Sequence, residues 1–162
     1  MNDTKKIVLV GHFGVGKSSL IRRFVKNSFS EDYLVTIGVH ILKKEIEINN
    51  QQVNLIIWDV EGKENIEKLR SSYLIGTSGF IYIIDPTRPQ TFANITEELK
   101  FIQTNYPKTP VITVANKSDL IDIEDFQKEI TKKEISIDCF ASAKSGKNVE
   151  SIFIKIATEI YK

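Results

Sequence analysis

Residues Gly11 to Ser18 read Gly-His-Phe-Gly-Val-Gly-Lys-Ser, and no other stretch constrains the chain as tightly. The spacing is G-x-x-x-x-G-K-[ST]. An apolar run, Ile7 to Val10, precedes it, and an apolar-periodic segment from Leu20 follows. The loop therefore joins a strand to a helix, the context this pattern needs. Its glycines let backbone N–H groups converge on phosphate oxygens, and the helix that starts there aims the positive end of its dipole at them. Gly14, Val15, Gly16, Lys17, Ser18 and Ser19 are the candidate donors. Lys17 would reach the outer phosphates, and the Ser18 hydroxyl would ligate Mg²⁺.

The rest of the chain alternates. Leu55–Trp58, Phe80–Ile84 and Val111–Ala115 are near-continuous apolar runs, which suit strands buried on both faces of a parallel sheet. Ile135 to Phe140 reads as another strand. Leu20, Ile21, Phe24 and Val25 share a helical face, as do Phe92, Ile95, Leu99 and Ile102. Val149, Ile152, Phe153, Ile156 and Ile160 mark the last helix. Val39–Ile48 and the strand ending at Trp58 are separated only by the polar turn Asn49 to Gln52, too short for a crossover, so this pair is antiparallel. The prediction is an α/β fold: six strands, mostly parallel with one antiparallel, helices on both faces, one domain over 1–162.

In such sheets ligands bind outside the carboxyl ends of the strands. Polar loops follow there: Asp59-Val-Glu-Gly62 after Trp58, Asn116-Lys117-Ser118-Asp119 after Ala115, and Ala141-Ser142-Ala143-Lys144 after Phe140. Asp59 can approach Mg²⁺, and Gly62 can offer its N–H to a γ-phosphate. A carboxylate at Asp119 accepts from both N1–H and the exocyclic amino group of guanine, whereas adenine leaves it unpaired. Asn116 would tie this loop to the phosphate loop. The Lys117 stem would cover one face of the base.

With these motifs in order and at these spacings, the chain resembles small GTPases of the Ras superfamily, and most of all the Rab group. The resemblance implies the P-loop NTPase fold, GTP and GDP as ligands with Mg²⁺, and GTP hydrolysis. It sets Ser142, Ala143 and Lys144 at the base, with the Ala143 N–H meeting the guanine O6. It makes Thr36 the threonine that completes the Mg²⁺ shell and grips the γ-phosphate. It places Phe29 against guanine and Tyr33 over the phosphates. Trp58 and Tyr73 match two of three aromatic positions that Rab proteins show to effectors, the third being Ile41, or else they are core. Effectors, exchange factors or activating proteins would contact segments 30–41 and 60–73. Thr36 and Gly62 gripping one γ-phosphate would make a switch, since its loss releases both loops.

Three departures fall in the catalytic centre. Lys63 stands where the family has the glutamine that orients water, and lysine has no acceptor. Phe13 stands where glycine is common. Glu61 stands where a small residue is common; its carboxylate could compete for the metal or repel phosphate, or else point to water. Lys17, Thr36, Gly62 and Lys63 are the candidate catalytic residues, and Ser18, Thr36 and Asp59 the metal ligands. Slow hydrolysis is the expectation. One alternative is a GTP-locked, effector-recruiting protein without hydrolysis, and another a scaffold that has lost its conformational change. A small P-loop kinase would need an arginine-rich lid, and Arg22, Arg23, Arg70 and Arg88 form none.

A net charge of +1 offers no electrostatic footprint for nucleic acid. The lone Cys139 makes no internal disulfide. No apolar stretch reaches membrane-span length, Met-Asn begins the chain, and Glu-Ile-Tyr-Lys ends it without a prenylation cysteine. The expectation is a cytoplasmic monomer with no lipid anchor in this sequence.

Overall fold

The structure is a computed structural model that describes residues 3–27, 38–63 and 65–162. Six strands form one sheet: β1 (Asp3–Gly11), β2 (Val39–Ile48), β3 (Gln51–Val60), β4 (Gly79–Ile84), β5 (Val111–Ala115) and β6 (Cys139–Phe140). Their spatial order is β2-β3-β1-β4-β5-β6. All neighbours are parallel except β2 and β3.

Strand alternation divides the core in two. Ile7, Leu9, Leu55, Ile57, Ile81, Ile83 and Val114 face α1 (Lys17–Lys26) and α5 (Val149–Ile160). There Phe24 and Phe153 stack with ring centroids 4.0 Å apart, joining the two helices. Val8, Val10, Val60, Phe80, Tyr82 and Ile84 face the other layer. That layer comprises α2 (Ser71–Leu74), α3 (Ile95–Asn105) and α4 (Ile123–Lys132). Central strands apolar on both faces are what a sheet covered on both sides requires.

Two expectations are corrected. The turn between β2 and β3 is only Asn49-Asn50, because Ile48 already pairs with Gln51. Both asparagines have positive φ, 51° and 62°, as a two-residue hairpin turn demands. The sixth strand is Cys139–Phe140, not Ile135–Phe140. Upstream, the Asp138 N–H still donates to Thr113 O at 3.0 Å, but the Thr113 N–H goes to the Asp138 carboxylate at 2.7 Å, so a side chain takes the place of the next ladder acceptor. The Ile135 N–H turns back to Ile130 O at 2.9 Å, closing α4.

Because β1, β3, β4, β5 and β6 run in parallel, their carboxyl ends lie together along one edge of the sheet. The loops after Val10, Val60, Ile84, Ala115 and Phe140 all start from that edge.

Candidate functional site

The phosphate loop is held from behind by side chains. Lys17, 6% exposed, donates from Nζ to Gly11 O and His12 O, both at 3.0 Å. Arg88 Nη1 donates to Phe13 O at 2.9 Å. Lys117 Nζ donates to Gly14 O at 2.9 Å, and Asn116 Nδ2 to Val15 O at 3.0 Å. Every carbonyl from Gly11 to Val15 thus accepts a side-chain donor, three of these donors being cations.

The residues fit a bound polyphosphate. Helix α1 begins at Gly16 (φ 99°) with no side-chain cap and no acidic residue in its first turn. The positive end of its dipole is therefore not offset by an acidic side chain of its own first turn, which favours an anion there. α4 differs, since Asp122 caps it by accepting from the Asp125 N–H. Burial pushes the Lys17 ammonium down to about 8, against a partial lift from Asp59. A buried cation resting on neutral carbonyls is one that an anionic ligand would stabilise. Gly16 also leaves no room for a larger residue: a Cβ there would lie 2.2 Å from Asn116 Nδ2.

The metal side is built from hard oxygen donors, the kind Mg²⁺ takes. The Ser18 hydroxyl donates to Asp59 Oδ2, joining the start of α1 to the end of β3. Asp59 is buried, held between Leu9 on β1 and His40 on β2 in the strand register. Thr36, the third expected ligand, lies outside the described residues, as do Phe29 and Tyr33.

The base-side loops are fastened to one another and to the phosphate loop. Asn116, 1% exposed, also accepts the Ala143 N–H on Oδ1 at 3.2 Å. Ser142 Oγ donates to Asp119 Oδ1 at 2.8 Å. Lys117 adopts a left-handed backbone (φ 59°) that turns the chain out of β5. Asp119 and Lys144 are exposed at the mouth of the site, and Ser19 is half-buried on α1.

The described chain matches the Ras family model over residues 6–162. It belongs to the Ras family. It is 36% identical to the Ras-related protein YPT3 of Nicotiana plumbaginifolia over 162 residues, covering 97% of this chain and 74% of that one. It is 37% identical to the Ras-related protein RGP2 of Oryza sativa subsp. japonica, over 96% of this chain and 74% of the other. The Ras-related protein Rab-1 of Theileria annulata is 37% identical, with 94% and 72% covered. This Ras-family small GTPase thus carries the six-stranded mixed sheet of its family.

The departures in this Ras-family site now have positions. The Glu61 carboxylate meets Gly38 and Lys63: Oε2 accepts the Gly38 N–H at 3.4 Å, and Oε1 lies 3.4 Å from Lys63 Nζ. Phe13 is 47% exposed. Gly62 packs against its backbone so closely that a Cβ would lie 2.5 Å from Phe13 Cα.

Three side chains that contact these loops escape the motif reading. Asp85, fully buried, pairs with Lys117 at 2.8 Å. The Lys117 and Thr87 hydrogen bonds hold its carboxyl below the usual range even though burial, the largest influence, opposes them. Arg88 follows it. Arg23 on α1 donates to Ala143 O at 2.8 Å and Lys144 O at 2.7 Å, tying the helix to the base loop. Asp85 was legible in principle: it directly follows the apolar run of β4, at a strand end where a functional loop is due.

Proposed function

We propose that this chain is a guanine-nucleotide switch with slow intrinsic hydrolysis, formed by one G domain over residues 1–162. The observation that carries the reading is Asn116, which bonds the phosphate loop through Val15 O and the base loop through the Ala143 N–H. A site joined in this way recognises a phosphate chain and a base as one ligand. Gly14, Val15, Gly16, Lys17, Ser18 and Ser19 hold the phosphates. Asn116, Lys117, Asp119, Ser142, Ala143 and Lys144 hold guanine, with Phe29 and Tyr33 closing over the nucleotide. Ser18, Asp59 and Thr36 hold Mg²⁺, which when bound neutralises phosphate charge.

Within that site Lys17 stabilises charge on the outer phosphates, while Thr36 and Gly62 grip the γ-phosphate through backbone N–H groups. Loss of that phosphate releases both segments, and partners reading segments 30–41 and 60–73 would sense the state. Ile41, 53% exposed and paired in register with half-buried Trp58, supports a protein-binding role for that face. Vesicle-traffic effectors and regulators are the partner class that the Rab-like relatives suggest. Among the described residues no helix is long and apolar enough to cross a membrane. We place the protein in the cytoplasm as a monomer.

Slow hydrolysis follows from two side chains. Lys63 has no acceptor for a water proton, and its ammonium is engaged by Glu61. Phe13 puts an exposed aromatic side chain on the phosphate loop, where its backbone lies against Gly62. The pairing of Lys63 also favours a second reading, a GTP-locked protein that recruits effectors without hydrolysis. The test is to identify the nucleotide released from purified protein, reload with GTP and Mg²⁺, and follow a single turnover. Measurable turnover that rises about tenfold or more in Lys63→Gln or Phe13→Gly supports the slow switch. Retained GTP with no turnover favours the locked form. Absence of any guanine nucleotide uptake overturns both.

A further inference from the structure

The loop from Asp85 to Thr91 reaches the phosphate loop directly through Arg88 and, by way of Lys117, through Asp85. Its base is a buried polar box. Asp85 and Thr91 are both fully buried. Thr91 Oγ1 accepts the Asp85 N–H at 2.9 Å and meets Asp85 O at 3.0 Å and Arg88 O at 2.8 Å. The Arg88 N–H returns to Asp85 O at 3.0 Å. Pro89 follows, which bars Arg88 from helical backbone, and Arg88 is extended (φ −128°, ψ 93°). The root of the Arg88 side chain is therefore fixed before its guanidinium reaches anything.

From that root the guanidinium spans 75 residues of sequence to Phe13 O. The same loop sends Asp85 to Lys117, whose Nζ holds Gly14 O. Two consecutive carbonyls of the phosphate loop are thus propped by one loop. A peptide unit is planar and trans, so its N–H points opposite to its C=O. Drawing Phe13 O toward Arg88 turns the Gly14 N–H the other way, toward the inside of the loop. The Phe13 backbone lies against Gly62, and with Gly62 read as meeting the γ-phosphate this peptide belongs to the outer-phosphate end.

We propose that Arg88 is a positioning residue for the phosphate loop: it sets the Phe13–Gly14 peptide so that the Gly14 N–H donates to the outer phosphates of a guanosine di- or triphosphate. This rests on reading the loop as a nucleotide site. Arg88 acts on the nucleotide through the backbone and need not touch it. Its partial exposure means that its removal leaves the core intact.

The test compares wild type, Arg88→Ala and Arg88→Lys for GMP, GDP and GTP affinity by competition, and records the Gly14 amide proton shift on GDP binding. Arg88→Ala is expected to weaken GDP and GTP about fivefold, with GMP changed less than about twofold, the scale of one partly exposed charge-assisted hydrogen bond. The GDP-induced shift at Gly14 shrinks in Arg88→Ala and returns in Arg88→Lys, which keeps a donor for Phe13 O. Equal loss for all three nucleotides overturns the proposal, because the effect is then general destabilisation. So does weakened GDP binding with an unchanged Gly14 shift, since the guanidinium then acts only by its charge. Unchanged affinities in Arg88→Ala overturn it while leaving the nucleotide site standing. A wild type that binds none of the three removes the site and the proposal together.

Discussion

Glu61 and Gly38 are bound to each other twice: the Glu61 N–H donates to Gly38 O at 2.9 Å, and the Glu61 carboxylate accepts the Gly38 N–H. The pair joins the loop after β3 to the residue just before β2. The Gly38 N–H is the largest cause of the lowered Glu61 carboxyl, followed among the favourable ones by Lys63 and Arg70. A lowered carboxyl contributes most above the ordinary carboxylate range and loses its contribution as pH falls through the lowered value. At neutral pH the tie is therefore complete. Glu61→Ala should speed amide hydrogen exchange at Gly38 about two- to fivefold at neutral pH, because the backbone half of the pair remains. An unchanged exchange rate would show that the carboxylate contributes nothing there. Placed this way, Glu61 fastens the loop after β3 to the residue before β2.

The buried ammonium of Lys17 links nucleotide binding to protons. Burial lowers it to about 8, so near that pH it is only partly charged. Its cost to the ligand-free fold is present below about 8 and fades as pH rises toward the ordinary lysine value. A polyphosphate beside Lys17 favours the charged form and lifts the value back. GDP binding at pH 8 should therefore take up about half a proton, and much less at pH 6.5. Calorimetry in two buffers of different ionisation heat measures the uptake directly. Identical heats at pH 8 would refute the linkage.

Tyr82 and Glu98 form a buried pair between β4 and α3. The Tyr82 hydroxyl donates to Glu98 Oε2, and Glu98 Oε1 accepts the Ile66 N–H at 3.2 Å. Burial raises the Glu98 carboxyl, with the Tyr82 and Ile66 bonds opposing it, and burial also raises the Tyr82 phenol. Removing one partner leaves the other unsatisfied in the core. Tyr82→Phe should cost about 1–2 kcal/mol, and Glu98→Leu about 2–4 kcal/mol because it strands two donors. The double variant should cost less than the sum by about 1 kcal/mol. Urea unfolding of the four proteins closes the cycle, and strict additivity would mean that the pair is uncoupled.

What could be read from the sequence follows the range of each signal. The central strands were legible because Ile7–Val10 and Phe80–Ile84 are buried on both faces, and the runs they leave are unbroken. The loops at Gly11, Asp59, Asn116 and Ser142 were legible because each follows such a run. Helix α4 carries only two buried apolar positions, Phe126 and Ile130, too few for a periodicity to stand out. The end of β6 depends on Asp138 reaching Thr113, a competition that composition does not reveal. Arg23 and Arg88 act on backbone carbonyls 121 and 75 residues away, and a carbonyl leaves no mark in a sequence. The partner of Glu61 was hidden for the same reason: it is the backbone of Gly38.

Gly16 and Asn116 show how little slack the site has. Gly16 holds φ at 99°, a conformation that costs a side-chain-bearing residue about 1 kcal/mol. Its missing Cβ is also the space that Asn116 Nδ2 occupies, 2.2 Å from where that carbon would stand. Gly16→Ala must therefore displace the Asn116 amide, which loses its bond to Val15 O and loosens its hold on the Ala143 N–H. Both halves of the nucleotide site depend on that amide, so the damage to binding should exceed the damage to folding. The expected result is a loss of GDP affinity of about a hundredfold or more, with the sheet and its two core layers kept. Thermal unfolding with and without saturating GDP separates the two effects. Wild type should gain stability from GDP and Gly16→Ala should gain almost none, while their circular dichroism spectra stay alike. Equal stabilisation of both by GDP would mean that the loop can yield, and that the contact between Gly16 and Asn116 is not what sets its shape.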